Sequence, residues 1–112
     1  VGISSVAGLF GYGLSAAYNA SKAFVSTYLQ GYRQRANHSK ADIAVTDIIP
    51  GFVESEMTEG KDGMFWVADQ DKSAKQIANA IDARKNRAYI TKRWRLIGWL
   101  LKLVPDWILD RI

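Results

Sequence analysis

Cysteine is absent from the 112 residues, and histidine occurs once, as His38. Without cysteine, the chain can form neither a disulfide framework nor a thiolate metal site. His38 stands among arginine, asparagine, serine and lysine residues, whereas a metal site is assembled from several converging ligands. We therefore interpret His38 as a solvated loop residue and expect no metal cofactor.

The sequence also lacks a leader peptide pattern. Val1-Gly2-Ile3 runs directly into two serines, with no basic segment and apolar run ahead of a cleavage site. The pattern predicts a cytoplasmic protein. With its length and composition, the chain is expected to form one modest hydrophobic core and no more than one domain.

Positive charge is concentrated at one end of the chain. The formal net charge is +4, and residues 84–112 contain eight lysine or arginine residues against two aspartates. These basic residues stand beside tryptophans and leucines, and the chain has no recognised nucleic-acid motif, so we expect no nucleic-acid partner. The tail, residues 94–112, has two interpretations: a helix packed on the protein or a subunit, or an interfacial membrane helix. We favour packing, with a modest peripheral membrane affinity from Lys92, Arg93 and Arg95.

Hydrophobic periodicity and turn residues predict alternating strands and helices. In chain order we expect the end of a strand at 1–3, a loop at 4–15, a helix at 16–35, a buried parallel strand at 43–49, a loop at 52–71, a helix at 73–84, a strand within 87–92 and an apolar helix at 94–104 that ends before Pro105. This order is typical of an α/β fold with a parallel sheet.

Tyr18 and Lys22 form the first candidate catalytic pair. Four residues apart on a helix, they leave the same face one turn apart, where an ammonium group stabilises a phenolate. Such pairs also occur by chance. Ser5 strengthens the interpretation, because it lies thirteen residues before Tyr18 and is followed by a glycine-rich loop that can return its hydroxyl to the helix start. A hydroxyl that polarises a carbonyl beside one that transfers a proton suits acid-base chemistry.

Three motifs in this sequence resemble those of the short-chain dehydrogenase/reductase family. Ile3-Ser4-Ser5-x-Ala7-Gly8, Tyr18-x-Ala20-Ser21-Lys22 and Pro50-Gly51-Phe52-Val53-Glu54-Ser55 are similar to ISSxAG, YxASK and PGxVxT, in the same order and at the usual spacing. The resemblance extends to about residue 92. It implies a nicotinamide-dependent oxidoreductase that acts on a carbonyl or alcohol, with a doubly wound, Rossmann-like parallel sheet in three α/β/α layers.

The resemblance also implies roles for individual residues. Tyr18 would be the general acid/base, Lys22 would promote its ionisation and bind the nicotinamide ribose, and Ser5 would orient the carbonyl. The residues that the resemblance places at the cofactor are Tyr18 and Lys22, together with Pro50, Gly51, Val53 and Ser55. Ser55 stands where the family usually has threonine, and Thr58 would assist it.

Several parts of the family pattern fall outside this sequence. The GxxxGxG phosphate loop, the residue that selects NAD or NADP and the helix asparagine of the catalytic group belong to an earlier half. We therefore expect residues 1–112 to be the C-terminal half of such a domain, lacking the N-terminal βαβ units and inactive alone. We favour NADP over NAD.

The expected partners are a small carbonyl or alcohol substrate and further copies of the same protein. The loop at 52–71 has an apolar set suited to cover an apolar substrate or to pack against the tail: Met57, Met64, Phe65, Trp66 and Val67. The helix with Tyr18 has a flank suited to a homodimer or homotetramer: Ala23, Phe24, Thr27 and Tyr28. The alternative function is a non-catalytic membrane-peripheral or assembly module that acts through the tail.

Overall fold

The computed structural model describes residues 1–51 and 69–111. Its elements, in chain order, are β1 (Gly2–Ile3), a 3-10 helix (Val6–Leu9), α1 (Ala16–His38), β2 (Asp47–Pro50), α2 (Gln70–Asp82), β3 (Arg87–Ile90), α3 (Trp94–Leu103) and α4 (Asp106–Leu109). The predicted cofactor residues Val53 and Ser55, together with Thr58 and the apolar set at 57–67, lie outside the described residues.

The three strands form one parallel sheet in the order β1-β2-β3. Gly2 of β1 is in register with Asp47 of β2, which is in register with Arg87 of β3. Parallel strands need crossover connections, and α1 and α2 lie within the two crossovers. The predicted α/β fold with a parallel sheet is confirmed.

The sheet has a small hydrophobic core on each face. Ile48 and Ile49 are adjacent on β2, so their side chains point to opposite faces. Ile49 packs with Val6 and Trp94, whereas Ile48 packs with two residues of α2 and β3, Ala80 and Ile90. The 3-10 helix and α3 therefore cover one face and α2 covers the other, which gives the predicted α/β/α layering.

The boundaries predicted for β2 are wrong at both ends. The strand begins at Asp47 rather than Ile43, whose side chain is 62% exposed, and it includes Pro50. Proline is tolerated there because the backbone N–H of Gly51, and not that of residue 50, donates to the Ile90 carbonyl (2.8 Å). Pro50 thus removes no hydrogen bond between β2 and β3.

The predicted helix boundaries also need correction. α1 continues past Arg35, so the exposed His38 lies in its last turn rather than in a loop. α2 begins at Gln70, earlier than predicted, because the side chain of Asp69 caps it by accepting the backbone N–H of Lys72 (3.1 Å). Beyond α2, Arg84 has a left-handed backbone (φ 55°) that ends the helical conformation.

One short helix lies where a loop was predicted, and another forms a separate part of the predicted helical tail, residues 94–112, beyond Pro105. The 3-10 helix occupies part of the predicted 4–15 loop, and its first backbone donor, Ala7 N–H, is accepted by the Ser5 side chain. α4 follows Pro105, whose fixed φ suits the start of a helix. The predicted end of α3 before Pro105 is confirmed, since α3 ends at Leu103.

Gly51 is required by the packing of α3 on the sheet. A Cβ on Gly51 would lie 2.1 Å from the nearest indole atom of Trp94, well inside van der Waals contact. Trp94 is only 3% exposed and belongs to the core with Ile49, so it has little room to move. The indole of Trp94 fills the space that a side chain at position 51 would occupy.

We predict that Gly51→Ala lowers the free energy of unfolding by about 1–3 kcal/mol, because overpacking forces the indole or the strand to shift. The matched control is Gly31→Ala in α1, where an added Cβ meets no atom within 4 Å. That control should raise the free energy of unfolding by about 0.5–1 kcal/mol through helix propensity. Chemical denaturation measures both, and equal unfolding midpoints for the two variants would contradict the packing role of Gly51.

Candidate active site

Ser5 is the second residue after β1 and caps the 3-10 helix. Its Oγ accepts the backbone N–H of Ala7 (3.1 Å), and its extended backbone (φ −166°, ψ 155°) is typical of a capping residue. A serine hydroxyl has one proton and two lone pairs. The cap uses a lone pair, so the proton of Ser5 can still be donated to a carbonyl oxygen.

Gly8 brings the segment that follows Ser5 against α1. A Cβ on Gly8 would lie 2.8 Å from two backbone atoms of the helix, the carbonyl carbon of Lys22 and the nitrogen of Ala23. Backbone atoms inside a helix cannot move aside as a side-chain tip can. Glycine is therefore what permits the 3-10 helix to contact α1 at the level of Lys22.

Asn19 fastens the same segment to the first turns of α1. Its side chain is 3% exposed, and its Nδ2 donates to the carbonyls of Ala7 (2.8 Å) and Phe10 (3.1 Å). Its Oδ1 accepts the hydroxyl of Ser15 (2.7 Å). Because Asn19 follows Tyr18 directly, these bonds hold the Tyr18 end of the helix against the Ser5 segment.

Tyr18 and Lys22 share one exposed side of α1, as their spacing predicts. The Tyr18 side chain is 47% exposed, and the Lys22 ammonium lies 5.7 Å from the centroid of its ring. Lys22 Nζ also reaches the carbonyl of Ile3 at the end of β1 (3.4 Å). An ammonium has three donors. Lys22 therefore keeps donors for a ligand while it contacts both α1 and β1.

The buried carboxylate of Asp47 connects three segments of the chain close to these residues. Asp47, at the start of β2, accepts the hydroxyl of Ser4 at one oxygen (2.6 Å) and that of Ser26 at the other (2.7 Å). Burial raises the pKa of Tyr89 on the adjacent strand; Arg87 lowers it and the charge of Asp47 raises it. Tyr89 thus stays a neutral packing residue.

Sequence reasoning missed Asn19, Asp47 and their serine partners. A signal for Asp47 was present, since it is the one acidic residue in the apolar run Ile43–Ile49. A signal for Asn19 was its position within the first turns of a helix, where asparagine is unfavourable unless its side chain bonds elsewhere. Both are buried polar residues with satisfied hydrogen bonds, the form in which polar groups occur in protein interiors.

Of the predicted cofactor residues on β2 and after it, the described structure contains Pro50 and Gly51. They lie at the carboxyl end of β2, the end of a parallel strand where α/β proteins bind ligands. The Cβ side of Gly51 is occupied by Trp94, so packing accounts for the glycine. A contact between Gly51 and a nicotinamide stays a prediction, as do the roles of Ser5, Tyr18 and Lys22.

Comparison with known families agrees with this geometry. The model of the short chain dehydrogenase family matches residues 1–66, more than half of the chain and all the segments that carry Ser5, Tyr18, Lys22 and Pro50. The chain belongs to the short-chain dehydrogenase family.

Similar proteins are longer than this chain. An uncharacterized oxidoreductase of Mycobacterium tuberculosis is 38% identical over 89 residues, which is 79% of this chain and 34% of that protein. A putative steroid dehydrogenase of Caenorhabditis elegans is 32% identical over 112 residues, 99% of this chain and 34% of that protein. The chain thus spans about a third of the length of these relatives.

A solved structure shows the same fold. The short-chain dehydrogenase from Sphingobium yanoikuyae, in complex with NADPH, superposes with a TM-score of 0.63 at 23% sequence identity. The match covers 92% of this chain and 44% of that one. The Rossmann-like α/β fold predicted for this chain is thereby confirmed.

Proposed function

We propose that the full-length protein is an NAD(P)-dependent oxidoreductase that interconverts a carbonyl compound and its alcohol. The proposal takes residues 1–112 as the C-terminal half of its catalytic domain. One observation carries it: the Lys22 ammonium lies against the exposed Tyr18 ring while the neighbouring Ser5 segment is fixed to the same helix. Membership in the short-chain dehydrogenase family supports it.

The residues present fit a nicotinamide nucleotide by their chemistry. The Lys22 ammonium has donors left for ribose hydroxyls, and Tyr18 is exposed beside it. With Pro50 and Gly51 at the end of β2, and Val53 and Ser55 after it, these residues would hold the nicotinamide end of the cofactor. When bound, the nicotinamide supplies or accepts the hydride at the carbonyl carbon. We favour NADP over NAD, and the NADPH bound to the Sphingobium protein supports this preference.

In carbonyl reduction, Tyr18 donates its phenolic proton to the carbonyl oxygen as negative charge develops there. Ser5 donates a hydrogen bond to the same oxygen, since its cap leaves the hydroxyl proton available. Lys22 stabilises the phenolate that Tyr18 becomes. In alcohol oxidation the same groups act in reverse, and Tyr18 accepts the proton.

The proposed substrate is a small apolar carbonyl compound or alcohol, of lipid-like or steroid-like character. Its support is the name of the nematode relative, a putative steroid dehydrogenase, and the apolar set within residues 57–67: Met57, Met64, Phe65, Trp66 and Val67. We expect residues 1–112 alone to show no turnover, because binding the cofactor diphosphate requires a glycine-rich phosphate loop.

We predict that Tyr18→Phe lowers kcat for NAD(P)H-dependent carbonyl reduction by at least about 10³-fold, because it removes the acid/base group while leaving an exposed ring in place. Lys22→Met should lose nearly as much. The matched control is Tyr12→Phe, the same change at another exposed tyrosine, which should keep wild-type activity. Steady-state kinetics and circular dichroism of the protein expressed from its complete coding sequence test this, and a Tyr18→Phe variant within a few-fold of wild type would refute the mechanism.

The outer side of α1 suggests how copies of the protein assemble. The rings of Phe24, Tyr28 and Tyr32 follow one another along the helix, with centroids 5.5 and 5.0 Å apart, and all three are about half exposed or more. A side-chain hydrogen bond with Tyr32 raises the pKa of Tyr28, so Tyr28 stays uncharged at neutral pH. We propose that a second copy covers this aromatic row across a two-fold axis, which gives a homodimer or homotetramer.

Replacing Phe24 and Tyr28 by aspartate should shift the sedimentation coefficient of the full-length protein from dimer or tetramer to monomer at micromolar concentration. Like charges would meet across the proposed axis, where now neutral rings would pack. Leu14→Asp, at an apolar side chain that is 87% exposed, is the control and should leave assembly unchanged. A wild-type protein that sediments only as a monomer would count against the proposal.

The tail offers a second candidate function, peripheral binding to an anionic membrane. α3 packs on the protein through Trp94 and Gly98, yet its other side is an apolar stripe with each residue more than half exposed: Leu96, Trp99, Leu100 and Leu103. In the described ranges, 1–51 and 69–111, no helix has the length and apolar character needed to cross a bilayer. An interfacial position suits this stripe.

Charge beside the apolar stripe favours an anionic lipid surface as its partner. A cavity of about 920 Å³ between α2, β3 and α3 borders Trp99, and its lining includes four basic side chains: Lys85, Arg87, Lys92 and Arg95. Arg95 also lies over the Trp99 ring, 5.0 Å from its centroid. A second copy would bring the same positive charges to this place, whereas anionic headgroups are complementary to them.

Flotation with vesicles tests this membrane proposal. The full-length protein should bind vesicles that contain phosphatidylglycerol and dissociate from them at high salt. It should not bind vesicles of pure phosphatidylcholine. Lys92→Gln with Arg95→Gln should weaken binding by about 10-fold or more, because each basic residue contributes on the order of 1 kcal/mol. Lys72→Gln with Lys75→Gln on α2 removes equal charge elsewhere and should have little effect. Absence of salt-sensitive binding, or loss of oligomers in Leu100→Gln, would overturn the proposal.

A further inference from the structure

The carboxylate of Asp47 is buried at a point where three chain segments meet. The residue is 2% exposed, and its two oxygens accept the hydroxyls of Ser4 and Ser26 at 2.6 and 2.7 Å. Its backbone N–H donates to the carbonyl of Asn86, the residue directly before β3 (3.0 Å). Each carboxylate oxygen therefore has its own donor, one from the residue after β1 and the other from α1.

Such a group is costly to bury. Among the described residues, the polar partners of the carboxylate are two neutral hydroxyls, and a buried carboxyl group is unfavourable compared with an apolar side chain unless its hydrogen bonds are satisfied. An apolar residue in the same strand position would pack beside Ile49 without that cost. A polar residue that breaks the apolar pattern of a strand is expected where function requires it.

The serine partners of Asp47 lie close in sequence to the proposed catalytic residues. Ser4 directly precedes Ser5 and is 1% exposed; its backbone N–H also donates to the Ile48 carbonyl (2.8 Å). Ser26 lies one helical turn beyond Lys22 on α1. The carboxylate thus links the residue before Ser5 to the helix that holds Tyr18 and Lys22.

We infer that Asp47 is a positioning residue that fixes Ser5 relative to Tyr18 and Lys22 through its hydrogen bonds to Ser4 and Ser26. This inference rests on the proposed oxidoreductase function. Proton donation and carbonyl polarisation must act on one oxygen atom, so the two hydroxyls have to be held to within about 0.5 Å. Asn19 holds the segment after Ser5 to α1, and Asp47 holds the residue before it.

A carboxylate suits this task because it only accepts hydrogen bonds. Both serines must therefore donate, which fixes the rotation of both hydroxyls. Asparagine at position 47 can accept from one serine and donate to the other, so it preserves both links with one bond reversed. Leucine has a similar shape and preserves neither. The pair Asp47→Asn and Asp47→Leu separates the links from the volume of the side chain.

The experiment measures kcat, KM and thermal unfolding of the full-length protein and its variants well below their unfolding temperatures. Asp47→Leu should lower kcat by about 10- to 100-fold with KM changed less than about 3-fold, because misplacement by about 1 Å costs up to 10²-fold. Asp47→Asn should restore kcat to within about 3-fold of wild type. Thr46→Val, which removes a hydroxyl from an equally buried neighbour, is the control and should keep kcat.

The serine variants test the same link without touching the carboxylate. Ser4→Ala and Ser26→Ala should each lower kcat by about 10-fold, and the double variant should lose no more than about 2-fold beyond either single change, since breaking one arm already releases the link. If Asp47→Leu does not fold, these serine variants test the positioning role of Asp47 in its place. Independent, additive losses of stability with unchanged kcat would show a merely structural role and overturn the inference.

This outcome is distinguishable from failure of the proposed function. If Tyr18→Phe abolishes turnover while the serine variants keep wild-type kcat, the oxidoreductase mechanism stands and the positioning role of Asp47 is wrong. If Tyr18→Phe retains turnover, the mechanism itself is wrong, and the inference on Asp47 fails with it.

Discussion

β2 has hydrogen-bonded partners along both of its edges, β1 on one side and β3 on the other. Its two isoleucines also belong to different cores, Ile48 with α2 and Ile49 with α3 and the 3-10 helix. Burial of these side chains therefore contributes hydrophobic stabilisation on both faces of the sheet. β1, β3, the 3-10 helix, α1, α2 and α3 each contact this strand or a neighbour of it.

The candidate site stands on this frame, but polar contacts rather than apolar ones join its parts. Asn19 donates to the carbonyl of Ala7, which follows Ser5, and Asp47 accepts the hydroxyl of Ser4, which precedes it. Lys22 donates to the carbonyl of Ile3. Hydrogen bonds are directional, whereas apolar packing tolerates sliding. A site that requires fixed distances between hydroxyl and phenol groups is better served by such contacts, and Asn19 and Asp47 are buried, where an unmade bond is costly.

The sequence predicts much of the fold, because the signals involved are local. The positions of Ser5, Tyr18 and Lys22 follow from motifs, and the alternation of apolar segments gives the order of strands and helices. Asp47 could not be assigned, because its partners Ser4 and Ser26 are distant in sequence and no periodicity brings them to it. Pro50 was placed outside β2 for a similar reason: whether proline is tolerated depends on which neighbouring strand needs its N–H.

The contact between Gly51 and Trp94 limits how this protein can change by mutation. The two residues are 43 positions apart, yet the indole fills the volume that a side chain at position 51 would need. A larger residue at position 51 overpacks the site while Trp94 is intact, and a smaller residue at position 94 leaves a cavity while Gly51 is intact, so either change alone is destabilising and the two together compensate each other. The two sites should consequently vary together among homologues, with a larger residue at the first accompanied by a smaller one at the second.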